Sequence, residues 1–150
     1  MPRVRARAAV AASGLARNLM TGKEWIVDAR GCNAELLRNL TTVQQLFQAI
    51  VADLGLRTIA ETRWHQFPGA GGITGLCLLS ESHLACHTFP EYGSLCLNLF
   101  CCVPRERWDF EGQLAERFSA TSVDVRTVTR EYGSNLDLEA IGASRRVATK

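Results

Sequence analysis

The segment SLCLNLFCC, residues 94–102, limits the possible folds more than any other part of the chain. Its apolar residues recur at every second position, which is the side-chain period of a β-strand and not of a helix. The leucine-rich face, which must pack against other apolar elements, consists of Leu95, Leu97, Leu99 and Cys101. The mixed face, which suits a site or an interface, consists of Ser94, Cys96, Asn98, Phe100 and Cys102.

Apolar periodicity elsewhere predicts a sheet covered by helices on one side. Strands are predicted at 23–29, 57–67, 73–80, 83–89 and 121–131, in addition to 94–102. Two main helices are predicted at 43–54 and 104–119, with a short helical piece at 34–40. Thr41 or Thr42 is the expected N-cap of the first main helix. Short turns join the central strands, so the fold class is α+β: a two-layer α/β sandwich with a largely antiparallel sheet and two main helices on one face.

The chain is long enough for one domain with one core, and its charge is unevenly distributed. Residues 1–22 are rich in arginine and contain no acid, so they are predicted to form a basic, disordered tail, with an organelle transit peptide as the alternative. Residues 132–150 are predicted to be a flexible C-terminal tail, which leaves 23–131 as the domain. This domain is slightly acidic, so nucleic acid is not an expected partner. No apolar run is long enough to span a membrane.

The six cysteines have no C-x-x-C spacing, so the sequence offers no support for a zinc site. His83 and His87 are four residues apart, which in a strand separates them by about 13 Å, too far to bind one metal ion. No metal is therefore expected. Several cysteines lie inside apolar runs, where a reduced thiol packs as a small apolar group. The prediction is a reducing, cytoplasmic compartment.

The polar segment ESHLACHTFPEYG, residues 81–93, interrupts an otherwise apolar region. Taken singly, its members have ordinary explanations: Ser82 as a turn residue, Glu81 as a solvated edge residue, and the histidines as parts of a sheet. A serine-hydrolase nucleophile would need a sharp, glycine-flanked turn, and no glycine is adjacent to Ser82. The combination is more specific than any of its members.

Residues 72–102, GITGLCLLSESHLACHTFPEYGSLCLNLFCC, resemble the prokaryotic S-adenosylmethionine decarboxylase proenzymes, a family of pyruvoyl-dependent enzymes. The pattern E-S-H-x-x-x-H-T-x-P-E-Y-G is followed by a cysteine twenty residues after the serine. GKEWIVDARGCNAELL, residues 22–37, belongs to the same resemblance, which covers most of residues 23–130.

The resemblance implies that the chain makes its own cofactor. The Ser82 hydroxyl attacks the carbonyl carbon of Glu81, the chain is cut between Glu81 and Ser82, and Ser82 becomes a covalent pyruvoyl group. The pyruvoyl ketone forms a Schiff base with the substrate amine and acts as an electron sink, a role that no standard side chain fills well. His87 matches the histidine that assists self-processing. Ser82 and His87 are five residues apart, so the chain must bend near Ser82 if they are to meet on one face of a strand.

Cys102 matches the family residue that returns a proton to the substrate. Its position on the mixed face of 94–102 favours it over Cys101, independently of the resemblance. The resemblance therefore assigns Cys102 as the proton donor of the decarboxylation step.

The remaining matched positions concern the substrate and the processing step. Glu91 matches an acid that holds the ribose hydroxyls, and Phe67 and Phe89 are candidates to stack on adenine or to face the sulfonium. Thr74 is expected to support processing. Three positions depart from the usual family residues: Phe89 is found where the family usually has Trp, Asn98 where it has Asp, and Thr74 where it has Ser.

The implied activity is decarboxylation of S-adenosylmethionine to the aminopropyl donor of spermidine synthesis. The implied assembly is a homodimer of cleaved protomers. One alternative is a pyruvoyl-dependent arginine or ornithine decarboxylase on the same scaffold, and the departures at 89 and 98 bear on that choice. A second alternative is a relative that stays uncut and regulates a partner subunit.

Overall fold

The computed structural model describes residues 19–134. The strands are β1 (Leu19–Arg30), β2 (Arg63–Gln66), β3 (Ile73–Leu79), β4 (Ser82–Phe89), β5 (Ser94–Cys101) and β6 (Ser122–Ser134). The helices are α1 (Ala34–Leu37), α2 (Leu40–Asp53) and α3 (Phe110–Phe118), and a 3-10 turn covers Pro90–Tyr92. Within the described part, no helix is long and apolar enough to cross a membrane.

The chain divides into two compact units, and the larger one comprises residues 21–132. The other unit comprises 1–20 and 133–150, of which the structure describes the strand residues 19–20 and 133–134. The predicted tails, 1–22 and 132–150, therefore lie outside the described residues, except for 19–22 and 132–134, which belong to β1 and β6.

All six strands form one sheet in the order β2-β3-β4-β5-β1-β6. The pairs β2–β3, β3–β4, β4–β5 and β5–β1 are antiparallel. Two-residue turns and short loops join β3 to β4 and β4 to β5, and such short connections reverse the chain direction. The predicted α+β sandwich with a largely antiparallel sheet is thus confirmed.

One face of the sheet is buried under the helices, as the alternation in 94–102 predicts. The leucine-rich face of β5 is buried throughout, while the other face of β5 is half-buried. Trp25 and Val27 of β1 and Leu84 of β4 belong to the same core. The helices contribute to it through α2 and α3, whose most deeply buried side chains are Val43, Leu46, Ile50, Phe110, Leu114 and Phe118. We refer to the opposite side of the sheet as the outer face.

The first main helix begins earlier than its apolar stripe indicates. Asn39 caps α2, because its side-chain oxygen accepts a hydrogen bond from the backbone N–H of Thr42 at 3.1 Å. The prediction of Thr41 or Thr42 as the cap was therefore wrong, since both lie inside the first turn of the helix. Asparagine fills this role as well as threonine does, since either side chain offers an oxygen to an unpaired backbone N–H.

The second main helix is shorter than predicted. Instead of 104–119, α3 covers Phe110–Phe118, and Asp109 caps it by accepting from the N–H of Gly112 at 3.1 Å. Trp108 lies just before the helix, where its indole N–H donates to Asp53 at 2.8 Å. Trp108 is apolar and stands at a position that fits a helical period, which is why the sequence predicted an earlier start of the helix. The loop that contains Trp108 is irregular.

The predicted strand at 57–67 is regular only in β2, Arg63–Gln66. Upstream of it, Thr58 makes a single bridge to Leu79. The ring of Trp64 on β2 packs against Gly75 on β3, where an added Cβ atom would lie 2.3 Å from a ring carbon. Trp64 also contacts Phe47 of α2, with ring centroids 4.8 Å apart. This edge of the sheet is thus held by an aromatic contact that requires a glycine beneath it.

Candidate active site

The Glu81–Ser82 bond lies at the tip of the hairpin between β3 and β4. Ser80 and Glu81 form the turn, and Leu79 pairs with Ser82 across it. The carbonyl oxygen of Glu81 accepts two hydrogen bonds from one residue, Cys102: its backbone N–H at 2.9 Å and its thiol at 2.8 Å. Two donors on one carbonyl oxygen polarise the carbonyl carbon and stabilise negative charge on the oxygen.

Ser82 begins β4 and pairs with Cys101 of β5. Burial raises the pKa of the Cys101 thiol, against a smaller lowering caused by its hydrogen bond with the Ser82 side chain. Cys101 points into the core, whereas Cys102 lies one residue beyond β5 and is half-buried. The two adjacent cysteines therefore have different environments, and Cys102 is the one whose thiol contacts the Glu81 carbonyl. We call the group Glu81, Ser82 and Cys102 the cleavage end.

A second group of predicted residues meets at the other end of β4. The hydroxyl of Thr74 and Nδ1 of His87 are 2.9 Å apart, across the β3–β4 pair. They line an open cavity of about 360 Å³ together with Phe67, Phe89 and Glu91. We call these five residues the pocket end. Five of the eight residues singled out in the sequence thus share one cavity, although they come from four separate segments.

The loop 68–72 gives the pocket end its shape. The N–H of Phe67 donates to the carbonyl of Gly72 at 2.8 Å, which closes the loop. The side-chain amide of Gln66 donates to the carbonyls of Gly71 and Arg38, at 3.2 and 2.7 Å. A Cβ atom at Gly72 would lie 2.6 Å from the carbonyl oxygen of Thr88, so only glycine allows the loop to approach β4 this closely.

The cleavage end and the pocket end do not meet within one protomer. Ser82 and His87 lie on opposite faces of β4, five residues apart, which corresponds to about 16 Å along the strand. The chain does not bend near Ser82, because β4 pairs in regular register with both neighbours from Ser82 onward. Ser82 and His87 could meet within one chain only if the strand bent near Ser82, and β4 has no such bend.

Asn98 lies on the outer face and not in the cavity of the pocket end. Its side-chain oxygen is 3.1 Å from Nε2 of His83, and its amide donates to Glu24 at 2.7 Å. Glu24 also accepts from Arg130 at 2.6 Å. The hydrogen bond from Asn98 is the largest of the influences that lower the pKa of Glu24. This network is a connected set of polar groups on the exposed side of the sheet.

Sequence reasoning missed two arginines beside the cleavage end. Arg57 and Arg105 line a small crevice with Glu81 and Ser82, and the guanidinium of Arg105 is 3.7 Å from the Glu81 carboxylate. Arg105 falls in the stretch that was predicted to be helical, and Arg57 in the stretch predicted to be a strand. Neither pattern indicates proximity to residue 81, because the contact depends on how the two loops fold.

Metal ligation receives no support from the side chains that the structure describes. In residues 19–134, no three His, Cys, Asp or Glu side chains come together in a group that could hold a metal ion.

The chain is similar in sequence to S-adenosylmethionine decarboxylases. The family model described as S-adenosylmethionine decarboxylase matches residues 23–131. The S-adenosylmethionine decarboxylase proenzyme of Moorella thermoacetica is 32% identical over 110 residues, covering 73% of this chain and 86% of the relative. The corresponding proenzyme of Syntrophomonas wolfei is 34% identical over 110 residues, with the same coverage of 73% and 86%.

A solved structure has the same fold. The crystal structure of the adenosylmethionine decarboxylase from Aquifex aeolicus superposes with a TM-score of 0.64 at 20% sequence identity, covering 78% of this chain and 96% of that one. The family model matches residues 23–131, and the two relatives described above are more than 30% identical to the chain. The chain therefore belongs to the S-adenosylmethionine decarboxylase family.

Proposed function

We propose that this chain is a self-processing, pyruvoyl-dependent S-adenosylmethionine decarboxylase that is cut between Glu81 and Ser82. One observation carries the proposal: Cys102 places two hydrogen-bond donors on the carbonyl oxygen of Glu81, at 2.8 and 2.9 Å. A carbonyl held in this way is prepared for attack, because both donors stabilise the charge that its oxygen gains. Its relatives are named as proenzymes, which accords with a chain that must be processed.

Ser82 supplies the nucleophile, and its oxygen is one residue away from the carbonyl that it attacks. The thiol that hydrogen-bonds the Ser82 side chain, Cys101, is unsuited to remove the hydroxyl proton, because burial raises its pKa and keeps it protonated. An imidazole suits the task, since it exchanges protons near neutral pH. His87 of the same protomer is about 16 Å away along the strand, so it cannot reach Ser82.

We therefore propose that a second copy of the chain supplies His87 to each cleavage end. The cleavage end and the pocket end lie at opposite ends of β4, so a twofold axis between two antiparallel copies of β4 would bring the cleavage end of each copy to the pocket end of the other. The outer face supports this arrangement, because Leu76 and Leu78 of β3 are each 52% exposed there. The side chain of Ser82 belongs to the other face, but Ser82 is the first residue of β4, so the proposed dimer requires the imidazole to reach it around the end of the strand. Apolar side chains exposed on a sheet face favour association. The proposed assembly is a homodimer with two composite sites.

The pocket end has the chemistry to bind S-adenosylmethionine. Phe67 and Phe89, 50% and 36% exposed, present aromatic rings to the cavity for adenine or the sulfonium. The Glu91 carboxylate can accept hydrogen bonds from both ribose hydroxyls. The hydroxyl of Thr74, 2.9 Å from Nδ1 of His87, orients that imidazole.

The residues present fit a pyruvoyl group at position 82, because its precursor serine lies beside a polarised carbonyl. When formed, the group supplies the electron sink that the loss of carbon dioxide requires. The protein's own contribution is to bind the substrate between aromatic rings and to deliver a proton from the Cys102 thiol, which already lies at this end of the sheet. All six cysteines are free, which accords with the cytoplasmic compartment that we propose.

Intact-mass analysis and a carbon dioxide assay test the proposal together. We expect two fragments, 1–81 and 82–150, the second beginning with a pyruvoyl group, and release of carbon dioxide from S-adenosylmethionine. Ser82→Ala is the matched control and should stay full length. Cleaved protein that releases carbon dioxide from arginine or ornithine, and not from S-adenosylmethionine, would change the substrate. A wild-type chain that stays uncut would instead support a regulatory role and refute the mechanism.

A further inference from the structure

Arg57 and Arg105 flank the proposed cleavage site, and the reaction described above assigns them no role. Both line a crevice beside Glu81 and Ser82. The guanidinium of Arg105 lies 3.7 Å from the Glu81 side-chain carboxylate. Arg57 makes no ion pair with any carboxylate of residues 19–134. A cationic side chain without an anionic partner next to a reactive bond calls for an explanation.

The charges of this crevice are unbalanced before cleavage and balanced after it. Its lining residues include two arginines, Arg57 and Arg105, and one glutamate, Glu81, so the side chains of these residues carry an excess of one positive charge. Cutting the chain after Glu81 creates one new carboxylate at the same position. Arginine is well suited to hold such a group, because its planar fork of N–H donors matches a carboxylate.

We infer that Arg57 and Arg105 form an anion site for the α-carboxylate that cleavage creates at Glu81, and that they stabilise it as the leaving group. This inference rests on the proposed self-cleavage. It assigns a function to two residues that lie outside the cleavage end and the pocket end as defined above.

The leaving group follows from the bonds that change. The Ser82 hydroxyl oxygen bonds to the carbonyl carbon of Glu81, and the C–N bond between the two residues breaks, which gives an ester and a free amine on residue 82. A base then removes the Cα proton of residue 82. The electron pair forms a Cα–Cβ double bond, and the Cβ–O bond breaks with its electrons moving to the Glu81 carboxylate. Water finally replaces the nitrogen, which leaves as ammonia, and gives the pyruvoyl ketone.

The crevice has the right size for this product. Its volume is about 10 Å³, which is roughly the space for one water molecule. The new carboxylate needs no additional room, because its second oxygen is the former hydroxyl oxygen of Ser82. A small crevice lined by two cations therefore suits an anion that forms in place, and the water-sized space suits the water that the last step consumes.

Arginine-to-glutamine substitutions test the inference on the full-length chain. In Arg105→Gln and Arg57→Gln, we expect the elimination step to slow by about tenfold each, the effect of losing one hydrogen bond to a charged group. The ester should then accumulate. Hydroxylamine cleaves an ester and leaves a fragment 82–150 that still begins with Ser82, which intact-mass analysis separates from the pyruvoyl fragment. Arg105→Lys, which keeps the charge, should restore most of the rate.

Arg107→Gln is the matched control, because Arg107 lies on the same loop and pairs with Glu111 away from the crevice. It should process like the wild-type chain. If both glutamine variants cleave at the wild-type rate without trapped ester, or if they slow without ester accumulating, the anion site is refuted while self-cleavage stands. A wild-type chain that is never cut removes both proposals. If one variant fails to fold, the other carries the test alone.

Discussion

The proposed composite site makes a quantitative prediction about mixtures of two inactive chains. Ser82→Ala lacks the cofactor precursor but retains an intact pocket end, while His87→Ala lacks the imidazole but retains an intact cleavage end. Each variant alone should stay uncut. In a mixed dimer, the His87→Ala chain finds the imidazole of its partner, so one of the two sites is complete and the other lacks both groups.

The magnitude follows from counting sites in a twofold dimer. Random pairing of equal amounts makes about half of all dimers mixed, and each mixed dimer has one complete site, so about a quarter of the wild-type activity should return. About half of the His87→Ala chains should be cut, since that fraction has the other variant as partner. The Ser82→Ala chains should remain full length throughout.

Co-expression of the two variants with different affinity tags provides the assay. Intact-mass analysis gives the cut fraction of each tagged chain, and carbon dioxide release gives the activity. The matched control pairs His87→Ala with the double variant Ser82→Ala/His87→Ala, in which every dimer lacks the imidazole, so nothing should be cut. Mixed dimers that form and yet leave every chain uncut would refute the composite site. Full cleavage of His87→Ala alone would refute the role of His87 in processing.

Three single substitutions test other parts of the structure. Cys102→Ala removes one of two donors on the Glu81 carbonyl, and a thiol is a weak donor, so the proposed cleavage should slow by only about tenfold while decarboxylation is lost. A mass time course that matches wild type would contradict the first part. Gly75→Ala brings a Cβ atom to 2.3 Å from the Trp64 ring, and should cost about 1–3 kcal/mol in thermal unfolding; an unchanged melting temperature would contradict it. The hydrogen bond from Asn98 lowers the pKa of Glu24 below its usual 4.5, so Glu24 stabilises the fold at neutral pH and loses this effect as the pH falls through the lowered pKa. Glu24→Gln should flatten the acid side of the stability curve, and identical curves would count against this network.

The strands of the sheet were predictable where both faces have distinct surroundings. In 94–102 the alternation of leucines with polar residues predicted the strand, its buried face and its place beside the helices, because the helices cover one face only. The predicted extents of the strand at 57–67 and of the helix at 104–119 were wrong for the opposite reason. There, isolated apolar residues such as Trp108 are buried by tertiary contacts that have no local period.

The candidate site was predictable as a set of residues and not as a geometry. The pattern of 81–93 predicted Ser82 and His87 as site residues. Their spacing of five residues left open whether the strand bends between them. The regular register of β4 answers this for one protomer, and a site shared by two copies, as we propose, has no signature in one sequence. The contact of Cys102 with Glu81 was likewise hidden, because it depends on where β5 ends relative to the hairpin.

The strand order has a consequence for how the mature protein holds together. A cut after Glu81 assigns β1, β2 and β3 to one fragment and β4, β5 and β6 to the other. In the sheet, β1 lies between β5 and β6, so a strand of the first fragment is enclosed by strands of the second. Neither fragment can keep its apolar face covered alone. An uncut protomer refolds from one chain, whereas a cut protomer must bring two fragments together again, so the apparent melting temperature of the cut protein should depend more steeply on protein concentration than that of the uncut dimer. The proposed cut would therefore make the refolding of each protomer depend on the meeting of two fragments, which the uncut protomer does not require.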